Sequence, residues 1–294
     1  SVSLEMLPFH ALSRILSHLS FLDRLNLRES SRILEDSIAR CDLHVDGRVE
    51  ISEVPGPLRM KLGTAKPLVY SGANVPNPRR LCSKIDAKEI YLTINCGSSE
   101  VQKFYEEIAA KSNFDLLRLG IYRDSERLWN FVRTYSHKKM LIAFQSHDGM
   151  NFEALRAIQL PATINFTAGT RLSGDLLKSL LKNGHSLDLV GSVEMSTELM
   201  MEILDIIIVS STIDQFITLD APVAVSDDFL ARMEDFSRKG VMEWRENGVD
   251  ENDRMFRHRL WLCGRIGVKE TRNRGIHGIP VINTRWTFTN KPDN

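Results

Sequence analysis

Residues with reactive side chains are scattered along the 294-residue chain, without the spacings that support catalysis or metal binding. The sequence has eight histidines but no HExxH pair, which would place two imidazoles on one helical face for zinc. It has no GxSxG turn for a nucleophilic serine and no glycine-rich phosphate loop. His258 and Cys263 are an isolated pair five residues apart, a weak signal for catalysis. We therefore predict no catalytic residue, no metal site and no cofactor, and a protein that is not an enzyme.

The cysteines and the charge balance bear on location and partners. Four cysteines, at positions 41, 82, 96 and 263, form no CxxC pair, and scattered thiols of this kind are typical of reduced compartments. We expect a cytoplasmic and/or nuclear protein. Lys+Arg and Asp+Glu both total 38, so the formal net charge is zero, which argues against nucleic acid as a partner. The longest apolar stretch, Leu199 to Val209, is too short to cross a bilayer, which predicts a buried helix and no membrane partner.

The first forty residues carry the pattern of three short helices. Pro8 suits a helix start, and Leu12, Ile15, Leu16 and Leu19 follow at the spacing of one helical face. Ser20 is placed to cap a second helix, and a third would carry Ile33, Leu34 and Ile38. Three helices of this length enclose little core, so their apolar face needs a cover. We predict a docking module over residues 1–40; the alternative is a helical cap on the following domain.

The segment from Leu7 to Arg28 resembles an F-box, with a Leu-Pro start and an Ile-Leu-x-x-Leu centre. F-boxes bind the Skp-type adaptor of cullin–RING ubiquitin ligases. The resemblance implies a substrate-recognition subunit of an SCF-type ligase, bound through the adaptor to a cullin. It also implies adaptor-binding residues that are split between the module's own core and the adaptor groove: Leu7, Pro8, Leu12, Ile15, Leu16, Leu19, Leu22 and Leu25.

Residues 41–85 read as a β linker region. Apolar and polar residues alternate around Asp46-Gly47, which predicts a hairpin turn because glycine tolerates positive φ. Leu58, Met60 and Leu62 alternate with polar residues and predict one half-buried strand. The segment 72–80, with two prolines, predicts a loop.

A strand–helix repeat follows from residue 86. The strand centres are Leu92, Leu119, Ile142, Ile164, Leu189 and Leu219, at steps of 27, 23, 22, 25 and 30 residues. This period lies near the leucine-rich-repeat range of about 20–29 residues. Helix caps are predicted after the strands at Ser99, Ser125, Asn151, Ser173, Ser196 or Thr197, and Ser226. We predict an α/β fold in which an irregular leucine-rich-repeat-like βα solenoid spans residues 86–294. Two alternatives are a doubly wound sheet and an α/β enzyme whose site assembles from distant residues.

Polar residues alternate with apolar ones in these strands and would share the outward face of the solenoid. This predicted substrate-binding face comprises Tyr91, Thr93, Arg118, Asn165, Asp188 and Thr218. We predict that it binds a protein substrate. Arg118 and the basic cluster at 254–274 are candidates to bind a phosphate mark on that substrate.

Two strands, Arg259–Ile266 and Val281–Phe288, are predicted near the carboxyl end, joined by a turn over Thr271–Pro280. They predict a closing β-hairpin from about residue 255 that covers the edge of the sheet. The order of helical module, repeat and hairpin resembles the nematode-type F-box family with an F-box-associated domain, which implies that the second domain recruits a substrate. The alternative is a repeat scaffold for protein interactions with no ligase association.

Overall fold

The computed structural model describes residues 3–53, 57–70, 82–95, 99–146, 149–167, 170–192, 196–212, 214–222, 231, 243–246, 256–263, 266–273 and 283–290. Beyond residue 222 the description of the strands is limited to the backbone. The chain divides into two compact units, residues 1–131 and 132–294. The predicted boundaries at 40 and 85 both fall inside the first unit, so the predicted three-part division stays a prediction. Within the described ranges, no helix is long and apolar enough to span a membrane.

Three α-helices open the first unit, after a single 3-10 turn at Leu4–Met6. They are α1 (Phe9–Ser17), α2 (Phe21–Ser30) and α3 (Arg32–Arg40). Serine side chains start the second and third helices, because Ser20 accepts a hydrogen bond from the Asp23 amide and Ser31 from the Ile33 amide. Pro8 precedes α1, where its missing N–H costs nothing. The three predicted helices are thus confirmed.

A mixed sheet forms the rest of the first unit. Its strands are β1 (Leu43–Ser52), β2 (Leu58–Leu62), β3 (Leu68–Tyr70), β4 (Ile85–Ile94), β5 (Ser112–Asn113) and β6 (Leu116–Ile121). The strand order is β3-β2-β1-β4-β6, and β5 pairs with β4. Strands β1, β4 and β6 are parallel to one another, and β2 and β3 are antiparallel. Helices α4 (Ser99–Lys111) and α5 (Glu126–Thr134) follow β4 and β6 in the chain.

The predicted hairpin turn at Asp46-Gly47 is wrong, because β1 runs straight through both residues. Val45 pairs with Ala87 and Arg48 with Glu89, so β1 holds one more residue than β4 at this point. Gly47 has φ +95°, the positive value that a bulge and a hairpin turn both require. A strand with a bulge and a hairpin show the same alternation of apolar and polar side chains. The Asp-Gly dipeptide alone therefore does not distinguish a bulge from a turn.

The second unit contains four parallel strands in chain order: β7 (Lys139–Phe144), β8 (Ala162–Phe166), β9 (Ser186–Ser192) and β10 (Phe216–Pro222). Helix α6 (Gly174–Lys182) connects β8 to β9, and α7 (Thr197–Val209) connects β9 to β10. The six predicted repeat strands are therefore all present. Helix α7 buries most of its apolar residues, as predicted, although its last residue, Val209, is 81% exposed.

Three of the predicted caps start helices in the repeat, whereas Ser99 is itself the first residue of α4. The hydroxyls of Ser125, Ser173 and Ser196 each accept an amide hydrogen bond at 3.1–3.2 Å three residues on. Asn151 makes no such bond and precedes a 3-10 helix (Phe152–Ala157), so the α-helix predicted there is wrong. Pro161 lies four residues beyond that segment and leaves little room for longer helical structure. Ser226 lies outside the described residues.

Four antiparallel strands follow the parallel ones, where only a hairpin was predicted. They are β11 (Glu243–Glu246), β12 (Phe256–Cys263), β13 (Ile266–Asn273) and β14 (Asn283–Asn290). Cys263 pairs with Ile266, so the single strand predicted over 259–266 is wrong, and β13 extends into the predicted turn. The second half of β13, with the sequence Lys-Glu-Thr-Arg-Asn, is polar, so hydrophobic periodicity does not indicate a strand there. Backbone pairing with β12 on one side and β14 on the other stabilises β13. β14 pairs with β10 and covers the edge of the parallel strands.

Candidate functional site

The helical module has a core of its own. Its buried residues are Leu12, Leu16, Leu34, Ile38 and Cys41, and Leu7, Leu19 and Leu27 pack against them. Leu12 is 2% exposed and Leu16 is fully buried. These two leucines, predicted to bind the adaptor, therefore hold the three helices together and have no surface to offer a partner in this conformation.

Other apolar side chains of the module are left in solvent. The exposed fraction is 76% for Met6, 47% for Phe9 and 39% for Ile15, and Pro8 is exposed too. We call these four residues the exposed apolar surface. Sequence reasoning found Pro8 and Ile15 but missed Met6 and Phe9, which lie beside the leucine pattern and not within it. The sequence feature that could have identified Met6 and Phe9 is that both are large and apolar within a short helical segment.

The remaining predicted adaptor residues occupy intermediate positions or lie outside the description. Leu7 and Leu19 are half-buried against the module's core. The side chains of Leu22 and Leu25 lie outside the described residues. The six of these eight residues whose side chains are described thus divide into core, border and exposed positions, and the role of all eight in adaptor binding stays a prediction.

Buried polar contacts join the module to the sheet of the first unit. Arg24 is 2% exposed and donates through Nη1 to the Asp42 carbonyl at 2.8 Å. Burial lowers the pKa of Arg24, an effect partly offset by Cys41, Cys82 and Asp42 nearby. The Ser83 amide donates to the Cys41 carbonyl at 2.9 Å. These bonds fix the end of the helical module against the start of β4.

Cys41 and Cys82 are free thiols at this junction, and both are buried. Burial raises the pKa of Cys41 and raises that of Cys82 to about 11. A thiol with a raised pKa stays protonated at neutral pH and is a poor nucleophile or metal ligand. The two cysteines therefore act as core residues. Within the described ranges, no three His, Cys, Asp or Glu side chains lie close enough to hold a metal ion.

A polar face of the sheet in the first unit includes two predicted substrate residues. Tyr91 and Arg118 are directly paired neighbours on β4 and β6. Arg118 Nε lies 2.8 Å from a Glu89 carboxylate oxygen, so this guanidinium already has an anionic partner. The Arg48 guanidinium carbon lies 5.9 Å from the Tyr91 ring centroid. Phosphate binding by Arg118 would have to displace Glu89.

Two small features shape this face. A Cβ on Gly120 would lie 3.3 Å from the Tyr91 hydroxyl, so the glycine leaves room for the phenol ring to cross the sheet. Thr93, predicted to lie on the outward face, is only 7% exposed, and its carbonyl accepts a hydrogen bond from Tyr105. Thr93 is thus a poor candidate for substrate contact.

The other predicted substrate residues form one row in the second unit. Asn165 pairs with Asp188, and Asp188 pairs with Thr218. The three side chains are half-buried. Ala143 extends the row on β7. The structure therefore places the predicted residues in two groups, one in each unit, and binding of a substrate by either group stays a prediction.

His185 is the described histidine whose pKa is shifted most by its surroundings. It is fully buried, its Nδ1 accepts a hydrogen bond from the Ala162 amide at 3.1 Å, and burial lowers its pKa to about 4. Gln215 is equally buried and donates to the carbonyls of Leu181 and His185. A neutral imidazole enclosed in this way orders the backbone between α6 and β10 and has no access to a substrate.

We predict that acid destabilises the second unit through His185. The unfolded histidine titrates near pH 6.5, so between about pH 6.5 and 4 the unfolded state binds more protons than the folded one. The stability contributed by the neutral ring is present above pH 6.5 and is lost as the pH falls, by up to about 3 kcal/mol. Urea unfolding at pH 7.5 and 4.5 measures this loss. The matched variant His185→Asn keeps an acceptor near the Ala162 amide and should lose less; an equal loss in both proteins would contradict the prediction.

Comparison with known proteins identifies the amino-terminal module. A family model described as the F-box domain matches residues 4–46, which include the three helices and the first residues of β1. A search of curated proteins gives no significant match. Among solved structures, an S-adenosylmethionine-dependent methyltransferase from Clostridium acetobutylicum ATCC 824 is similar, with 12% sequence identity over 70% of this chain and 68% of that one. The TM-score is 0.16, too low for this likeness to support an argument. The chain therefore carries an F-box domain at residues 4–46 and is an F-box protein.

Proposed function

We propose that this protein is the substrate-recognition subunit of an SCF-type cullin–RING ubiquitin ligase and is itself not an enzyme. F-box domains bind Skp-type adaptors, which implies a cullin complex, and F-box proteins are generally adaptor subunits. The observation that carries the proposal is the exposed apolar surface, which lies within the matched residues. The resemblance to the nematode-type family and the cytoplasmic and/or nuclear location belong to the same proposal.

The exposed apolar surface supports docking on energetic grounds. Met6 and Phe9 leave large apolar areas in water although the module's core is already complete without them. Full burial of one such side chain stabilises a complex by about 1.5–3 kcal/mol. An adaptor groove that covers Met6, Phe9 and Ile15 would therefore gain binding energy without unfolding the helices.

The βα repeats support the substrate side of the proposal. In each unit, two strands that a helix connects are parallel and adjacent in the sheet, in chain order. A leucine-rich-repeat-like array has this arrangement. A doubly wound sheet would instead reverse its strand order. Such an array would expose its polar rows, including Tyr91 and Arg118 in the first unit, to a protein substrate. The receptor would act by proximity, holding a substrate lysine near a charged conjugating enzyme and raising its effective concentration.

Affinity purification tests the proposal. The wild-type chain should capture a Skp-type adaptor together with a cullin, and the double variant Met6→Asp/Phe9→Asp should lose both while keeping its other partners. Partners lost in the variant define the ligase side, and partners kept define the substrate side. If a folded wild-type chain captures no adaptor, the receptor function fails and a repeat scaffold without ligase association is the better account.

A further inference from the structure

Strand β2 presents two cations on the polar face of the first unit. Leu58, Met60 and Leu62 are buried, so the alternate residues Arg59 and Lys61 point to the opposite side of the sheet. In register, Arg59 pairs with Ser52 and Lys61 pairs with Glu50 on β1. Arg59 is exposed and Lys61 is partly exposed. Sequence reasoning on the β linker region did not single out either residue.

Two carboxylates on this face, those of Glu50 and Glu89, already have cationic partners. Arg48 Nη2 lies 3.1 Å from a Glu50 oxygen, and Arg118 pairs with Glu89. Neither Arg59 nor Lys61 has a hydrogen-bond or ion-pair partner among the described residues. Among the described residues, Arg59 and Lys61 are therefore two cations without an ion-pair partner beside two paired cations, and this part of the face is complementary to negative charge.

An apolar position lies next to these charges. Val69 on β3 pairs directly with Arg59, so both side chains are on the same side of the sheet. Val69 is 58% exposed. The cations and the valine thus form one surface, which we call the β2–β3 face (Arg59, Lys61 and Val69).

We propose that the β2–β3 face binds an extended acidic segment of the protein substrate. This specifies the class of substrate and rests on the proposed function. Arg59 and Lys61 are two residues apart in a strand, so their Cα atoms are separated by about 7 Å. Alternate side chains of an extended peptide have the same spacing, which lets two carboxylates pair with the two cations while an apolar residue packs on Val69. One carboxylate for each cation would give this face two separate ion pairs with the peptide.

A fluorescence anisotropy titration with the full-length chain tests this inference. The probe is the labelled peptide Ser-Val-Ser-Glu-Ser-Glu-Ser-Ser, whose Val and Glu side chains share one face of an extended chain, and the reference peptide has Gln in place of Glu. The Glu peptide should bind at 50 mM NaCl at least tenfold more tightly than the Gln peptide, and added salt should weaken it. The charge reversal Arg59→Glu/Lys61→Glu should weaken it at least tenfold.

A matched control is available on exposed helical positions of the chain. Lys103→Glu/Arg133→Glu makes the same change of charge at residues that are not part of the β2–β3 face and should alter binding by less than twofold. Equal binding of the Glu and Gln peptides, or equal loss in both double variants, would overturn the inference. So would tighter binding of a peptide that carries one phosphoserine and no Glu. The Arg59→Glu/Lys61→Glu variant should still bind the adaptor like wild type, so a failure of the receptor function shows separately as wild-type protein that binds no adaptor.

Discussion

Replacing Phe9 and Ile15 together with aspartate should weaken adaptor binding at least a hundredfold and leave the helical module folded. Both side chains are substantially exposed and neither belongs to the module's core. In a complex, however, two carboxylates would have to enter an apolar groove without partners, and an unpaired buried charge is strongly unfavourable. A hundredfold change corresponds to about 2.7 kcal/mol of binding free energy. Calorimetric titration with a purified Skp-type adaptor measures the loss.

The control for this variant is Val209→Asp on α7, where the side chain is 81% exposed and lies outside the matched residues. It should bind the adaptor like wild type. Circular dichroism should show the same helical content in all three proteins. Full adaptor binding by the Phe9→Asp/Ile15→Asp variant would show that the exposed apolar surface is not the docking site.

Replacing Leu16 with alanine should destabilise the F-box domain by about 2–5 kcal/mol, the usual cost of removing a large side chain from a packed core. Leu16 is fully buried against Leu12, Leu34 and Ile38, so the cavity has few ways to close. Urea unfolding followed by circular dichroism measures the change, and hydrogen exchange should place the loss of protection in α1 and α3. Adaptor binding should fall as well, because less of the protein is folded.

Ile15→Ala is the matched comparison, since it removes a similar side chain from the next position of the same helix. Ile15 is 39% exposed, and its truncation should cost less than about 1 kcal/mol. Equal destabilisation by the two variants would contradict the assignment of Leu16 to the core and of Ile15 to the docking surface. The two residues thus distinguish an effect on folding, expected at Leu16, from an effect on contact with the adaptor, expected at Ile15.

Hydrophobic periodicity was sufficient to predict most of the elements that lie near a core. The repeat strands alternate or run apolar, and the serine caps at 125, 173 and 196 mark their helices, so both were found from the sequence. The Asp46-Gly47 bulge was misread because a bulge and a turn need the same backbone angle. β13 was missed because its stability comes from backbone pairing with distant strands, which its own polar sequence does not report.

The candidate site was predicted less completely. Spacing identifies the apolar face of α1, but it does not say which leucines face the second and third helices and which face a partner; Leu12 and Ile15 differ only by three-dimensional packing. Phe9 was missed because it lies at the border of the leucine stripe. Arg59 and Lys61 were predictable as outward residues from the alternation of β2, but their lack of partners depends on the register with β1.

The most direct test of the receptor account is a calorimetric titration of the full-length wild-type chain with a purified Skp-type adaptor. The account predicts a one-to-one complex with a Kd of about 1 μM or tighter, equivalent to about −8 kcal/mol. A chain that is folded by circular dichroism but forms no complex at about 100 μM adaptor, a concentration that corresponds to a binding free energy near −5.5 kcal/mol, would contradict it.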